Sequence, residues 1–210
     1  MTPQAQVIRK GRPDVGDAVR ITYEDFLERE WDDPHVEWVD GQVIMMAPIS
    51  DEHDDVAGLL YSLLRAFVEK RGLGVVKHDP FQMKTGPKLP GRAPDILFLA
   101  KKNLARKKKT HVEGPADAVV EVISPDSRGI DRGDKFFEYE AGGVKEYWLI
   151  DPERKQAEFY NLGRDGIYRP APVTDGIFRS GVIKRFWLRV SWLWQRPLPH
   201  LVDLHKELGL

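Results

Sequence analysis

Asp117-Ala118-Val119-Val120-Glu121-Val122-Ile123-Ser124 is the stretch from which the fold reads outward. Its apolar run suits a strand buried on both faces, the pattern of a sheet covered by helices. A second apolar strand follows at Glu146 to Asp151, and between the two lies a helical segment from about Asp131 to Ala141, ended by Gly142-Gly143. Gln156 to Tyr160 pairs back across the turn at Asp151-Pro152. Strand, helix, strand and hairpin in this order indicate an α/β fold with a mixed central sheet and flanking helices.

The chain before this stretch agrees. Ala93 to Leu99 is a further strand, started or bent by Pro94, which cannot donate to a ladder. Val75–Lys77 and Phe81–Lys84 are short strands separated by Asp79-Pro80. Val56, Leu59, Leu60, Leu63, Leu64, Phe67 and Val68 repeat at helical spacing, with Ser50 as cap and Gly72 as stop. His35 to Ala47 reads as a hairpin turning at Asp40-Gly41, and Thr22 caps a short helix over residues 23–27. Residues 1–19 read as a flexible N-terminal tail and 20–210 as a single domain. After Gln156 to Tyr160, the segment containing Trp187, Trp192 and Trp194 reads as more strand, then a short helix after Pro197.

The totals exclude several classes. The 210 residues carry 32 Lys and Arg against 33 Asp and Glu, a net charge of −1, so bulk charge does not announce a nucleic-acid binder and any phosphate contact must be local. There is no cysteine, which removes disulfides, thiolate zinc sites and cysteine nucleophiles. No run approaches the roughly 20 apolar residues that span a bilayer, and the first residues lack a signal-peptide core. No membrane partner and a cytoplasmic location are therefore expected.

Two acids stand out. Asp95 opens an apolar strand, and Glu121 interrupts one. An ionised carboxylate in such a place costs several kcal/mol unless it is paired or binds a metal. On neighbouring strands the two would form an oxygen-rich pocket suited to Mg²⁺ or Mn²⁺, with the backbone carbonyl of Ile123 as a further metal ligand. Asp131, Lys135 and Tyr139 stack along one helical face, and Lys135 there would orient a water nucleophile or offset charge developing on a phosphate.

Gly91-Arg92-Ala93-Pro94-Asp95-Ile96, Val119 to Pro125, Asp131 with Lys135 and Tyr139, and Gly143 to Pro152 together resemble the Uma-type restriction endonuclease family of the PD-(D/E)XK nuclease superfamily. Val36 to Val43 and the helix opening at His53 are similar to that family's N-terminal half, so the likeness spans roughly residues 20 to 195. The resemblance implies a restriction-endonuclease-like fold and metal-dependent hydrolysis of phosphodiester bonds in nucleic acid, DNA before RNA. Asp95 matches the superfamily's strand aspartate and Glu121 the acid of the next strand. The superfamily's lysine position is Ile123, a departure also shared by the family, and Lys135 looks like its migrated replacement. The likeness also places a glutamate at Glu37, expected to support the metal or water network.

Each residue also has a plainer reading. Asp95 could bond a loop amide, Glu121 could pair with Lys135, and His53 could cap or pack. The basic residues Lys101, Lys102, Arg106, Lys107, Lys108 and Lys109 read equally as a phosphate patch or a solvated connection. The three tryptophans suit strand packing or a homodimer contact better than base stacking. At the level of the whole chain the alternative is a catalytically degenerate nuclease fold serving as an interaction module.

Overall fold

The computed structural model describes residues 7–9, 20–125 and 127–210. Its largest core lies on a six-stranded sheet ordered β12-β11-β10-β9-β7-β4. These strands are β4 (Gly74–His78), β7 (Ile96–Ala100), β9 (Ala118–Val122), β10 (Glu146–Asp151), β11 (Gln156–Leu162) and β12 (Tyr168–Pro170). β9 and β10 run parallel, and every other pairing is antiparallel, so the sheet is mixed as expected.

Side-chain alternation divides this sheet between two cores. Ile96, Phe98, Val120, Val122, Trp148 and Ile150 join the apolar face of helix α2 (Asp51–Lys70). Leu97, Leu99, Val119, Ile123, Tyr147 and Leu149 face the other way, toward Tyr139 of α4 (Asp134–Gly142). On α2, Leu60, Leu63, Leu64 and Phe67 are each exposed by 1% or less, and burial of each contributes about 1.5–3 kcal/mol. Ser50 caps α2 by accepting from the His53 amide at 3.2 Å.

A second sheet, ordered β1-β3-β2-β6-β5-β8, comprises β1 (Val7–Arg9), β2 (Val36–Val39), β3 (Gln42–Met45), β5 (Gln82–Lys84), β6 (Gly91–Arg92) and β8 (His111–Glu113). The β2–β3 hairpin turns at Asp40 and Gly41, whose φ values are 50° and 84°. Val7–Arg9 pair in parallel with β3; the remainder of the expected N-terminal tail lies outside the described residues. A third sheet holds β13 (Val173–Thr174), β14 (Ile177–Arg179) and β15 (Trp187–Arg189), and α1 (Tyr23–Glu28) and α5 (Leu201–Glu207) complete the elements used here.

The chain passes between the two large sheets at two points that matter. β4 and β5, consecutive in the chain, belong to different sheets, with Asp79-Pro80 at the passage. Pro94 and Asp95 lie between β6 of the second sheet and β7 of the first. Both passages fall at one end of the main sheet.

Two expectations need correction, and one open reading is narrowed. The helix expected over residues 131–141 is two helices, α3 (Arg128–Arg132) and α4, separated by Gly133 at φ −112° and ψ −94°. A Cβ at Gly133 would lie 2.6 Å from the carbonyl oxygen of Gly129, so glycine is what permits the break. Trp192 and Trp194 lie in a 3₁₀ turn rather than a strand. Trp192 is 3% exposed within the α2 core, which withdraws it from base stacking or from pairing two copies. Finally, the basic run follows β7 at the end opposite Asp95. At about 3.3 Å per residue the strand puts them roughly 17 Å apart, and Arg106 and Lys108 are engaged with Pro115 and Glu113. Among the described residues no helix is long and apolar enough to cross a membrane.

Candidate active site

Strand register assembles the acids. β7 and β9 pair Ile96 with Val120, so one further step sets Asp95 opposite Glu121. β4 and β7 pair His78 with Ile96, so the same step sets Asp79 opposite Asp95, and the Asp79 amide donates to the Asp95 carbonyl at 3.2 Å. Opposed residues of an antiparallel pair share a face. Extended one residue past the paired strands, this register brings Asp79, Asp95 and Glu121 together in a row at one end of the sheet.

Behind that row lies a buried charge cluster. Lys135 Nζ donates to Glu121 Oε2 at 2.9 Å and stands 3.2 Å from Asp131 Oδ1 and 3.5 Å from Glu37 Oε1. Tyr139 donates its hydroxyl to Glu121 Oε1 at 2.7 Å. Lys135 and Glu121 are 3% and 2% exposed. Despite the break at Gly133, Asp131 and Lys135 still meet as their spacing suggested.

Glu37 is held by Arg92, whose Nη1 donates at 2.8 Å, and more weakly by the Ala93 amide at 3.3 Å. Arg92 also grips Glu138 through two bonds of 2.7 Å. Asp95 accepts from the Val122 amide at 2.6 Å and lies 3.3 Å from His53 Nε2, both contacts falling on Oδ2. Among the described residues these ion pairs join four carboxylates (Glu37, Glu121, Asp131 and Glu138) to two fixed cations, Arg92 and Lys135, with Asp95 paired to His53 beside them.

The titration directions reflect burial and the neighbouring charges together. Burial raises Glu121 well above the ordinary glutamate range, Asp131, Asp95 and Glu37 add to the effect, and Lys135 opposes it. Burial would lower Lys135, but Glu121, Glu37 and Asp131 more than reverse this and hold it well above the usual lysine range. Burial thus sets the direction at Glu121 with the neighbouring carboxylates adding to it, whereas at Lys135 the same carboxylates outweigh burial. Burial would also raise Glu37, yet Lys135 and Arg92 keep it below its ordinary value. His53 is raised, its burial outweighed by Asp95.

The plain and chemical readings of these residues coincide in part. Glu121 does pair with Lys135, Asp95 does accept from a backbone amide, and the backbone of His53 does take part in a cap. However, Lys135 is one ammonium beside three carboxylates, and among the described residues the Asp95 carboxylate is partnered by an amide and an imidazole. Ile123 follows Glu121 on the same sheet face, its amide donating to Ile150 at 2.7 Å. Among the described residues, no three His, Asp or Glu side chains are grouped as a ready metal cage. Carboxylate oxygens are the hard donors that suit an ion retaining waters and substrate oxygens; both Glu121 oxygens already accept, from Lys135 and Tyr139, whereas the two contacts of Asp95 fall on Oδ2.

Arg92 and Asp79 were missed from sequence. Arg92 stands inside a quoted motif, but its role needs the β2–β6 register, in which Trp38 opposite Gly91 sets Glu37 opposite Arg92. Burial, together with Asp95 and Glu37, raises Asp79 to about 6, while His35 at 3.2 Å opposes the shift. A carboxylate before proline in a turn gives no such signal.

The mixed α/β sheet with flanking helices is of a nuclease-like fold class. The family model described as "Uma2: Putative restriction endonuclease" matches residues 23–191. The chain therefore belongs to the Uma2 restriction endonuclease family. A crystal structure described as a "putative nuclease belonging to DUF820" from Anabaena variabilis is similar in fold, with a TM-score of 0.67, 17% identity, and coverage of 83% of this chain and 97% of that one. No curated protein sequence matches.

Proposed function

We propose that residues 20–210 act as a divalent-metal-dependent nuclease domain that hydrolyses phosphodiester bonds of nucleic acid, DNA in preference to RNA. Family membership supports the reaction class. The observation that carries the reading is the sharing of one buried ammonium among Glu121, Asp131 and Glu37, beside an Asp95 that opens toward solvent. Asp95 and Glu121, with the carbonyl of Ile123, would hold Mg²⁺ or Mn²⁺. Such an ion would polarise the scissile phosphate and offset its developing charge. Lys135 brings a fixed positive charge for a water nucleophile or the pentavalent phosphorus oxygens. Tyr139 orients the Glu121 carboxylate, and Glu37, braced by Arg92, holds Lys135 in place.

The test is cleavage of DNA and RNA by the purified protein in Mg²⁺ or Mn²⁺. Wild type is expected to cut and Asp95→Ala to lose at least 100-fold in rate, on the order of 3 kcal/mol. Equal cutting by both proteins would refute the assignment. A degenerate fold without turnover is the competing reading, favoured by the aliphatic residue at Ile123 and by the existing Lys135–Glu121 bond. Calorimetric titration with Mn²⁺ separates the two, since a non-catalytic module whose acids are already satisfied gives no binding heat.

A further inference from the structure

A cleft of about 1160 Å³ leads from solvent to Asp95. One wall is a face of α2, where Asp54, Gly58 and Tyr61 follow helical spacing; the other is the end of β3 at Met45 and its connection to α2, with Met46 and Ile49. Tyr61 and His78 meet edge to face at 4.5 Å between ring centroids. Ile49 is 55% exposed, and a Cβ added at Gly58 would meet nothing within 4 Å, so this part of the cleft is open and apolar.

The lining suits a base better than a phosphate. Among the described residues that form it, none is lysine or arginine, whereas Asp33, Asp54, Asp79 and Asp95 all contribute. A closed duplex presents its phosphates around the cut bond, and here they would meet a carboxylate-lined wall in which the partners of Asp33, Asp79 and Asp95 are the imidazoles of His35 and His53. An unpaired base presents a flat apolar face, which stacks on aromatic and thioether side chains, and amino hydrogens, which carboxylates accept. The cleft is also larger than the usual ligand pocket of roughly 300–1,000 Å³, so a nucleotide fits.

We propose that this cleft receives an unpaired nucleobase next to the phosphodiester held at Asp95, making the substrate single-stranded DNA or a nucleotide swung out of a duplex. The inference rests on the nuclease reading and specifies its substrate class. Stacking and burial against Tyr61 drive binding, and Asp54 at the mouth accepts from the exocyclic amino group.

The test uses the full chain with three DNA substrates: a single strand, a duplex with one bulged nucleotide and a closed duplex. Rates are measured in Mn²⁺, and affinities by fluorescence anisotropy in Ca²⁺. The single strand and the bulge are expected to be cut at least about 10-fold faster than the closed duplex, their ratio showing which source is preferred. Tyr61→Ala and Gly58→Leu should each weaken single-strand affinity about 10-fold. Gly58→Leu should do so with an unchanged or higher melting temperature, because leucine favours the helix and its Cβ meets no neighbour. Equal cutting of the closed duplex, or unchanged affinity in both variants, overturns the inference and leaves the nuclease reading standing. If wild type cuts none of the substrates, the nuclease reading fails. The anisotropy of the two variants then decides the cleft: lost affinity upholds a base site and unchanged affinity removes it.

Discussion

Lys135 concentrates the account in one side chain. Its ammonium lies within 3.5 Å of three buried carboxylates, and removing a partner from a buried ionic group costs about 3–5 kcal/mol. Lys135→Ala should lose that much in urea unfolding, and Mn²⁺ should restore more stability to the variant than it adds to wild type. Asp79 gives a prediction of opposite sign. Its folded pKa is raised from 3.8 to about 6, so its stabilising proton is fully held below pH 3.8 and lost as pH rises through 6. Asp79→Asn should therefore be more stable than wild type at pH 7, by about 1–2 kcal/mol after allowing for partial exposure and the lost His35 contact. Urea midpoints between pH 4 and 7 check this, the gain shrinking toward pH 4. The Glu121–Lys135 pair was legible because a carboxylate inside an apolar strand demands a partner. Arg92 and Asp79 were not, because their partners arrive through pairings between distant segments.

At the scale of elements, the longest helix and the first hairpin were legible from local chemistry alone. Ser50 caps α2, and its apolar stripe is buried; Asp40 and Gly41 take the positive φ values that a tight turn needs. The break between α3 and α4 was hidden, since residues 131, 135 and 139 keep helical spacing across it. What opens it is the close approach of Gly133 to the Gly129 carbonyl. This sets two principles against each other. In a regular helix, Gly→Ala stabilises by about 1 kcal/mol; here the added Cβ meets a backbone oxygen at 2.6 Å. Gly133→Ala should destabilise by at least about 1 kcal/mol and displace Asp131 from Lys135. A rise in melting temperature would show that the break is not needed.

The whole molecule works by joining two sheets at the end where the acids lie. The α/β class and the mixed main sheet followed from strand order, but the partition of β4 and β5 between sheets did not, because short strands carry no mark of their partners. The partition creates both the acid row and the cleft that ends on Asp95. If the surplus of carboxylates is a cation site, ligand binding must stabilise the entire fold. Mn²⁺ at 100 times its dissociation constant should add about 2.7 kcal/mol, seen as a thermal shift that Asp95→Ala abolishes. The most direct measurement is anomalous scattering from a crystal soaked in Mn²⁺. The account predicts a peak within coordinating distance of both the Asp95 and Glu121 carboxylates. A map with no peak there, and the Lys135 ammonium still alone among the acids, would contradict it.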